Sequence, residues 1–212
     1  MPRAFDHQEE EQLDEIKAWW VRYGNAVMVV VTAVLVAFAA YNGWRWYQGS
    51  QAGKAAGAYE ALLTAASAKD TRRVSEISGE LIQDYSSTVY ASFGALLAAR
   101  VQYDAGDLKN ARAKLQWVID HGKDPELAAL ARLRLANVLI DEKDNEGALK
   151  LLDAEMPGAL AALAADLKGD IYVLLNRKND ARTAYKLALD RSGSDAALRG
   201  RVQRKLEDLG TA

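Results

Sequence analysis

The stretch KGDIYVLLNRKNDARTAYKLAL, residues 168–189, decides how most of this chain is read. Two apolar runs of helical period flank a polar turn, Asn176 to Asp180. Gly169 stands twelve residues before Ala181, and Tyr185 follows one turn later. A small residue on each helix of a hairpin lets the two approach closely, and the large residue one turn on fills the space between neighbouring hairpins.

Working outward, the same spacing returns twice. RLANVLIDEKDNEGALKLL (134–152) sets Ala136 against Ala148 and Leu152, and AARVQYDAGDLKNARAKL (98–115) sets Ala99 against Ala111 and Leu115. Their turns are polar, Lys143-Asp144-Asn145 and Ala105-Gly106-Asp107. Breakers fall at Ser86-Ser87-Thr88, Gly122 to Pro125, Pro157-Gly158 and Ser192-Gly193-Ser194, in steps that match a helix-turn-helix repeat. No run alternates with period two, so the expected class is all-α. Residues 55–85 predict a further helix pair without the full signature. Residues 195–209, opened by an N-cap at Ser194, predict a last helix whose charges suit a polar end cap.

The front of the chain differs. AVMVVVTAVLVAFAA (26–40) lies in a window free of charge from Tyr23 to Trp44, bounded by Arg22 and Arg45. As a helix this window is about 33 Å long, enough for a hydrocarbon core of about 30 Å. Its valines, Leu35 and Phe38 each favour insertion by roughly 0.3 to 0.6 kcal/mol. Trp19, Trp20 and Tyr23 collar one end, and Tyr41, Trp44, Trp46 and Tyr47 the other, the pattern of rings at two membrane interfaces. A retained membrane anchor is the reading these residues favour. Two alternatives stand beside it. Ala37-Phe38-Ala39 offers a small-x-small cleavage pattern, although the six acids against three bases before the run are the wrong sign for a signal peptide. The other is a helix buried in a soluble core. Lys17 and Arg22 on one side nearly match Arg45 and Lys54 on the other, so the charge rule leaves the orientation open. A long carboxy-terminal region translocates regardless of charge, and the preferred arrangement has residues 1–22 cytoplasmic, 23–47 in the membrane, 48–57 as a connector and 58–212 as the exported domain. The connector, QGSQAGKAAG, reads either as continuing helix or as a loose neck.

Of the 27 Lys and Arg and 29 Asp and Glu, three and six precede Arg45, so the remaining 24 and 23 nearly cancel. A basic nucleic-acid face is disfavoured. The absence of cysteine excludes disulfides and thiol catalysis and suits an oxidising compartment. The two histidines, His7 in the acidic tail and His121 in a turn, have no ligand-spaced companions, and no glycine-rich phosphate loop exists. The run Glu9-Glu10-Glu11 reads as a solvated helix face. No catalytic, cofactor or metal site is expected, and no nucleic-acid or small-molecule ligand.

The repeat spacing resembles the tetratricopeptide pattern, best where Gly169, Ala181, Tyr185 and Ala188 coincide with it. It departs in lacking the early bulky aromatic throughout and in placing Glu155 where a small residue is usual. Such arrays bind partners on the concave surface lined by the first helix of each pair. That resemblance points to Phe93, Leu96, Arg100 and Tyr103; Leu130, Leu133, Asn137 and Ile140; and Leu163, Asp166, Asp170 and Val173. The polar line Arg100, Asn137, Asp170 stands out, and packed core is the competing reading of the leucines. The order of parts, an acidic tail ending DEIKAWWVRYGN, one span, AAGAYEALLTA, DYSSTVYASFGALLAAR, ARLRLANVL and the stretch quoted first, is similar to the YfgM family of inner-membrane TPR-like proteins. The resemblance implies a cytoplasmic amino terminus, a periplasmic TPR-like domain and no enzymatic activity. It further implies association with the SecYEG translocon as an ancillary subunit, and transfer of emerging polypeptides to periplasmic chaperones, including a PpiD-like partner. A cleaved, soluble scaffold for envelope assembly or cell division is the alternative, and a cofactor-binding helical domain is a third reading that the missing ligands oppose.

Overall fold

A computed structural model describes Phe5–Thr211, with side chains from Leu13 to Gly210 except Asp14; His7 and Glu9 to Glu11 therefore lie outside the described side chains. Every regular element among the described residues is a helix: α1 Phe5–Ser67, α2 Thr71–Asp84, α3 Val89–Asp104, α4 Leu108–His121, α5 Pro125–Asp141, α6 Asn145–Leu152, α7 Leu160–Leu174, α8 Lys178–Arg191 and α9 Ala196–Thr211. The chain divides into two compact units between Ser50 and Gln51. Helix α1 continues through residues 48–57, so the connector is helical.

In the first unit the apolar run faces outward. Val29, Val30, Leu35 and Phe38 are each more than 60% exposed, which rules out the buried core helix. The helix is long and apolar enough to cross a membrane. Thr32 inside the run and Asn42 just beyond it bond the preceding turn, Thr32 Oγ1 donating to the Met28 carbonyl and Asn42 Nδ2 to that of Phe38, both at 2.8 Å. Such internal bonds remove the cost of placing a hydroxyl or amide in hydrocarbon.

The second unit stacks hairpins. Successive helices pack in chain order, with α3 on α5 and α5 on α7 joining neighbouring pairs. The turns share one device. Gly106, Lys143 and Asn176 occupy equivalent positions with φ of 79°, 67° and 57°, the left-handed turn that ends the first helix of each pair. The next residue caps the second helix where it is aspartate: Asp107 Oδ1 accepts from the Asn110 amide at 3.1 Å and Asp144 Oδ1 from the Gly147 amide at 2.9 Å. Arg177 takes that place in the third pair and makes no side-chain cap.

The pair α1–α2 obeys the same register. Lys69 has φ 56°, and Asp70 Oδ1 accepts from the Arg73 amide at 2.9 Å. Its three register positions hold Leu62, Val74 and Ser78, all fully buried. The small-small-large order is therefore replaced by large-large-small, and the room comes from α3, where a side chain at Gly94 would collide with Leu81 and crowd Leu62. In the third pair the order holds, but Tyr185 lies over Gly169 of its own hairpin as well as facing the next helix.

Two boundaries differ from the sequence expectation. Helix α6 stops at Leu152, so Glu155 sits in the loop 153–159 and never meets the requirement for a small residue inside a helix. The carboxylate capping α9 is Asp195, whose Oδ1 accepts from the Leu198 amide at 2.9 Å, one residue later than Ser194.

Candidate functional site

Helices α3, α5 and α7 are the first helices of three hairpins, and the residues expected to face outward from them divide into three groups. Phe93, Leu163 and Val173 are exposed, as are Arg100 and Asn137. Leu130, Ile140 and Tyr103 are half-buried against the central core. Leu96 and Leu133 are core residues, 5% and 7% exposed, and offer no contact surface. They share a helical face with the exposed residues one turn away, but their side chains are packed into the central core.

The third hairpin departs furthest from the expected groove. Asp166 is buried, 5% exposed, between two cations of α9. Arg201 Nε and Nη2 donate to Asp166 Oδ2 at 3.2 and 3.1 Å, and Lys205 Nζ donates to Oδ1 at 2.7 Å. Lys205 also reaches the Asp170 carboxylate at 2.7 Å, while the Tyr185 hydroxyl donates to Asp170 Oδ1 at the same distance. Asp166 and Asp170 are thus the seat of the end helix, and the line Arg100, Asn137, Asp170 is interrupted at its last member. Burial, then the hydrogen bond to Asp170, holds the Tyr185 phenol well above its ordinary range. Sequence alone did not reveal this: Arg201 and Lys205 lie more than thirty residues from the carboxylates they satisfy.

Between the first and second of these hairpins the face stays open. Ala99, Arg100, Tyr103, Leu115, Arg134, Asn137 and Val138 line a cleft of ≈ 170 Å³. Its floor is apolar and its rim polar. Arg100 pairs with Asp104 at 2.7 Å, the Tyr103 hydroxyl donates to Asp141 Oδ2 at 2.6 Å, and Asn137 Nδ2 donates to the Leu133 carbonyl at 2.9 Å. The bond to Asp141, aided by burial, raises the Tyr103 phenol above its usual value. Arg134 was missed in the sequence. It sits where the register places Leu97 in α3 and Leu167 in α7, and that lone cation in a leucine position is the signal that could have found it. One helix end away, the Tyr59 ring of α1 lies tilted at 45° to those of Tyr90 and Phe93, with centroids 5.9 and 6.1 Å away, forming an aromatic patch on the same face of α3 as Arg100.

His121 stacks on Trp117 with ring centroids 5.3 Å apart and planes at 13°, a packing role in a turn. In the first unit, Trp19, Trp20, Tyr23, Tyr41, Trp44, Trp46 and Tyr47 are all exposed. The rings gather at two levels: Trp19 lies 6.2 Å from Trp20 and 5.7 Å from Tyr23, and Trp44 6.3 Å from Tyr47, all tilted pairs. Tyr23 and Tyr41 are about 27 Å apart along an ideal helix, close to the thickness of a hydrocarbon core.

The chain has relatives among known proteins. It is 29% identical over 205 residues to a protein of Neisseria gonorrhoeae, covering 95% of this chain and 97% of that one. It is 29% identical over 202 residues to one of Escherichia coli, covering 95% and 96%, and 27% identical over 194 residues to one of Haemophilus influenzae, covering 90% and 93%. Each of these relatives is named ancillary SecYEG translocon subunit. The sequence profile of the tetratricopeptide repeat-like domain matches residues 17–211, which takes in the apolar helix and every hairpin described above. With the hairpin register, the left-handed turns and this match in agreement, the chain belongs to the tetratricopeptide repeat-like domain family.

Proposed function

We propose that this chain is a membrane-anchored protein-interaction scaffold, associated with the SecYEG translocon of the bacterial inner membrane, that helps pass exported polypeptides to a PpiD-like periplasmic chaperone. In this reading residues 1–22 are cytoplasmic, 23–47 cross the membrane, 48–57 connect and 58–212 form the periplasmic domain. Trp19, Trp20 and Tyr23 mark one interface, and Tyr41, Trp44, Trp46 and Tyr47 the other. The observation that carries the reading is that an outward-facing apolar helix leads, in one chain, into a hairpin array with an open cleft and an aromatic patch on one face. The names of the three relatives support the translocon as the partner.

The mechanism is tethering. An anchor confines the array to the membrane surface, which raises the effective concentration of its contact face near a pore exit without any new contact. Phe93, Arg100, Asn137, Leu163 and Val173 are the exposed residues of that face, and an extended polypeptide leaving the pore presents the side chains they would hold.

The test has two arms. Alkaline carbonate extraction should leave the full-length chain in the membrane pellet; a shortened, soluble product would overturn the anchor. A photoreactive residue at Phe93 or Asn137, in native membranes, should yield adducts with translocon subunits, the chaperone or an exported chain. If those positions give none while one on the opposite face, such as Arg182 in α8, does, the contact face is wrongly placed.

A further inference from the structure

The cleft between α3 and α5 contains a charge that the fold leaves unanswered. Arg134 is half-buried, and its only hydrogen bond among the described residues is from Nη1 to the Leu96 carbonyl at 3.2 Å. No carboxylate of the described residues pairs with it. Burial, and secondarily the charge of Arg100, pull its guanidinium below the ordinary value, so its charged neighbour on the cleft wall repels it. Two neighbouring cations are answered, Arg100 by Asp104 and Arg112 by Glu142, each at 2.7 Å; Lys114 of α4 is half-buried like Arg134, but it does not line the cleft. Leu97 and Leu167 occupy the equivalent places in α3 and α7, so packing alone does not ask for arginine there. A guanidinium removed from water costs stability unless it is paired.

We infer that the cleft binds the side-chain carboxylate of an aspartate or glutamate in an extended polypeptide, with Arg134 as the principal donor and Arg100 at the rim. The assignment rests on the contact face proposed above and names what that face selects. Arginine presents a planar fork of donors that matches a carboxylate, and Asn137 supplies a neutral amide beside it. The ≈ 170 Å³ cleft accommodates one acidic side chain. Phe93 precedes Arg100 by two helical turns, about 10 Å along the axis. An extended chain covers that distance in about three residues, so an apolar side chain three positions from the acid would meet the Phe93 and Tyr59 rings while the carboxylate entered the cleft.

The probe is a fluorescent 12-residue peptide, acetylated and amidated, with one Phe and one Asp three positions apart, made in both orders. Its control carries Asn for Asp. Binding to the full chain in nanodiscs is read by anisotropy. One order of the Asp peptide should bind about tenfold tighter than its Asn control, the equivalent of about 1.4 kcal/mol. Arg134→Leu, which restores the residue type of the neighbouring hairpins and so keeps the fold, should bring the ratio to about one. Arg100→Gln should lower it only in part. If the wild-type ratio is one while Phe93→Ser still weakens both peptides, the carboxylate assignment fails and the contact face stands. If neither peptide binds, both fail. A ratio that survives Arg134→Leu overturns the role of Arg134. Binding of the Asn peptide only when its C-terminus is left free would assign the cleft to a terminal carboxylate and overturn the side-chain assignment.

Discussion

Replacing Gly169 with alanine adds one methyl group to α7, and the structure gives it no room. A Cβ at that position falls on the ring of Tyr185. The ring cannot swing aside, because it is 2% exposed, its hydroxyl is bonded to Asp170 at 2.7 Å, and Lys205 Nζ lies 5.5 Å from its centroid. Overpacking of this kind costs about 1–3 kcal/mol, against a helix-propensity gain of about 0.5–1 kcal/mol for Gly to Ala. The net expectation is a loss of about 1–2 kcal/mol, or a fall of about 0.5–1 M in the urea midpoint at the usual slope for a small protein. Circular dichroism at 222 nm of the full chain in mild detergent reads it, with the apolar helix as a constant background. Gly79→Ala in α2 is the control, since nothing lies within 4 Å of its Cβ; it should raise the midpoint. In a Tyr185→Leu background the penalty at Gly169 should disappear or change sign. A midpoint for Gly169→Ala at or above wild type would refute the reasoning, because the close approach would then be absent.

Asp107→Ala and Asp144→Ala each remove a helix cap and should lower stability by about 1 kcal/mol, checked by the same titration; Arg177→Ala, at the third turn, should change the cap energy little because Arg177 makes no side-chain cap. Lys205→Met deprives buried Asp166 and half-buried Asp170 of a shared cation and should expose α9 to hydrogen exchange before any other helix of the second unit, with Arg201→Met acting in the same direction more weakly. Tyr103 and Tyr185 hold their protons above the usual phenol range in the folded state. The native form therefore binds more protons than the unfolded chain once the pH passes about 10, and stability that is complete below about 10 falls as the pH rises further. Absorbance at 295 nm should show these two tyrosines ionising after the others, and Tyr103→Phe with Tyr185→Phe should flatten the decline.

The hairpin register was legible because close approach demands small side chains at fixed intervals, and Ala99, Ala136 and Gly169 advertise it. The first hairpin was harder to read. Leu62, Val74 and Ser78 reverse the sizes, and the compensating gap, Gly94, belongs to another helix. Lys143 does not announce a left-handed turn by its chemistry, as Gly106 and Asn176 do; only its alignment with them gives the reason. The exposure of residues on the proposed contact face was legible at Phe93, Arg100 and Asn137. It was misread at Leu96 and Leu133, where helical period alone does not separate a face from the layer beneath it, and at Asp166 and Asp170, whose partners come from a helix far along the chain. The outward-facing apolar run was the plainest feature, because a core helix has no use for rings at both ends.

The reversed sizes in the first hairpin bear on how such an array can change over time. A hairpin carrying Leu62 needs a neighbour with a vacancy like Gly94, and one carrying Tyr185 makes its own vacancy at Gly169. Transplanting the former next to α5 or α7 would drive leucine into places shaped by alanine. The modules are therefore not interchangeable within this chain: a single hairpin moved to another place in the stack would meet a neighbour shaped for a different one.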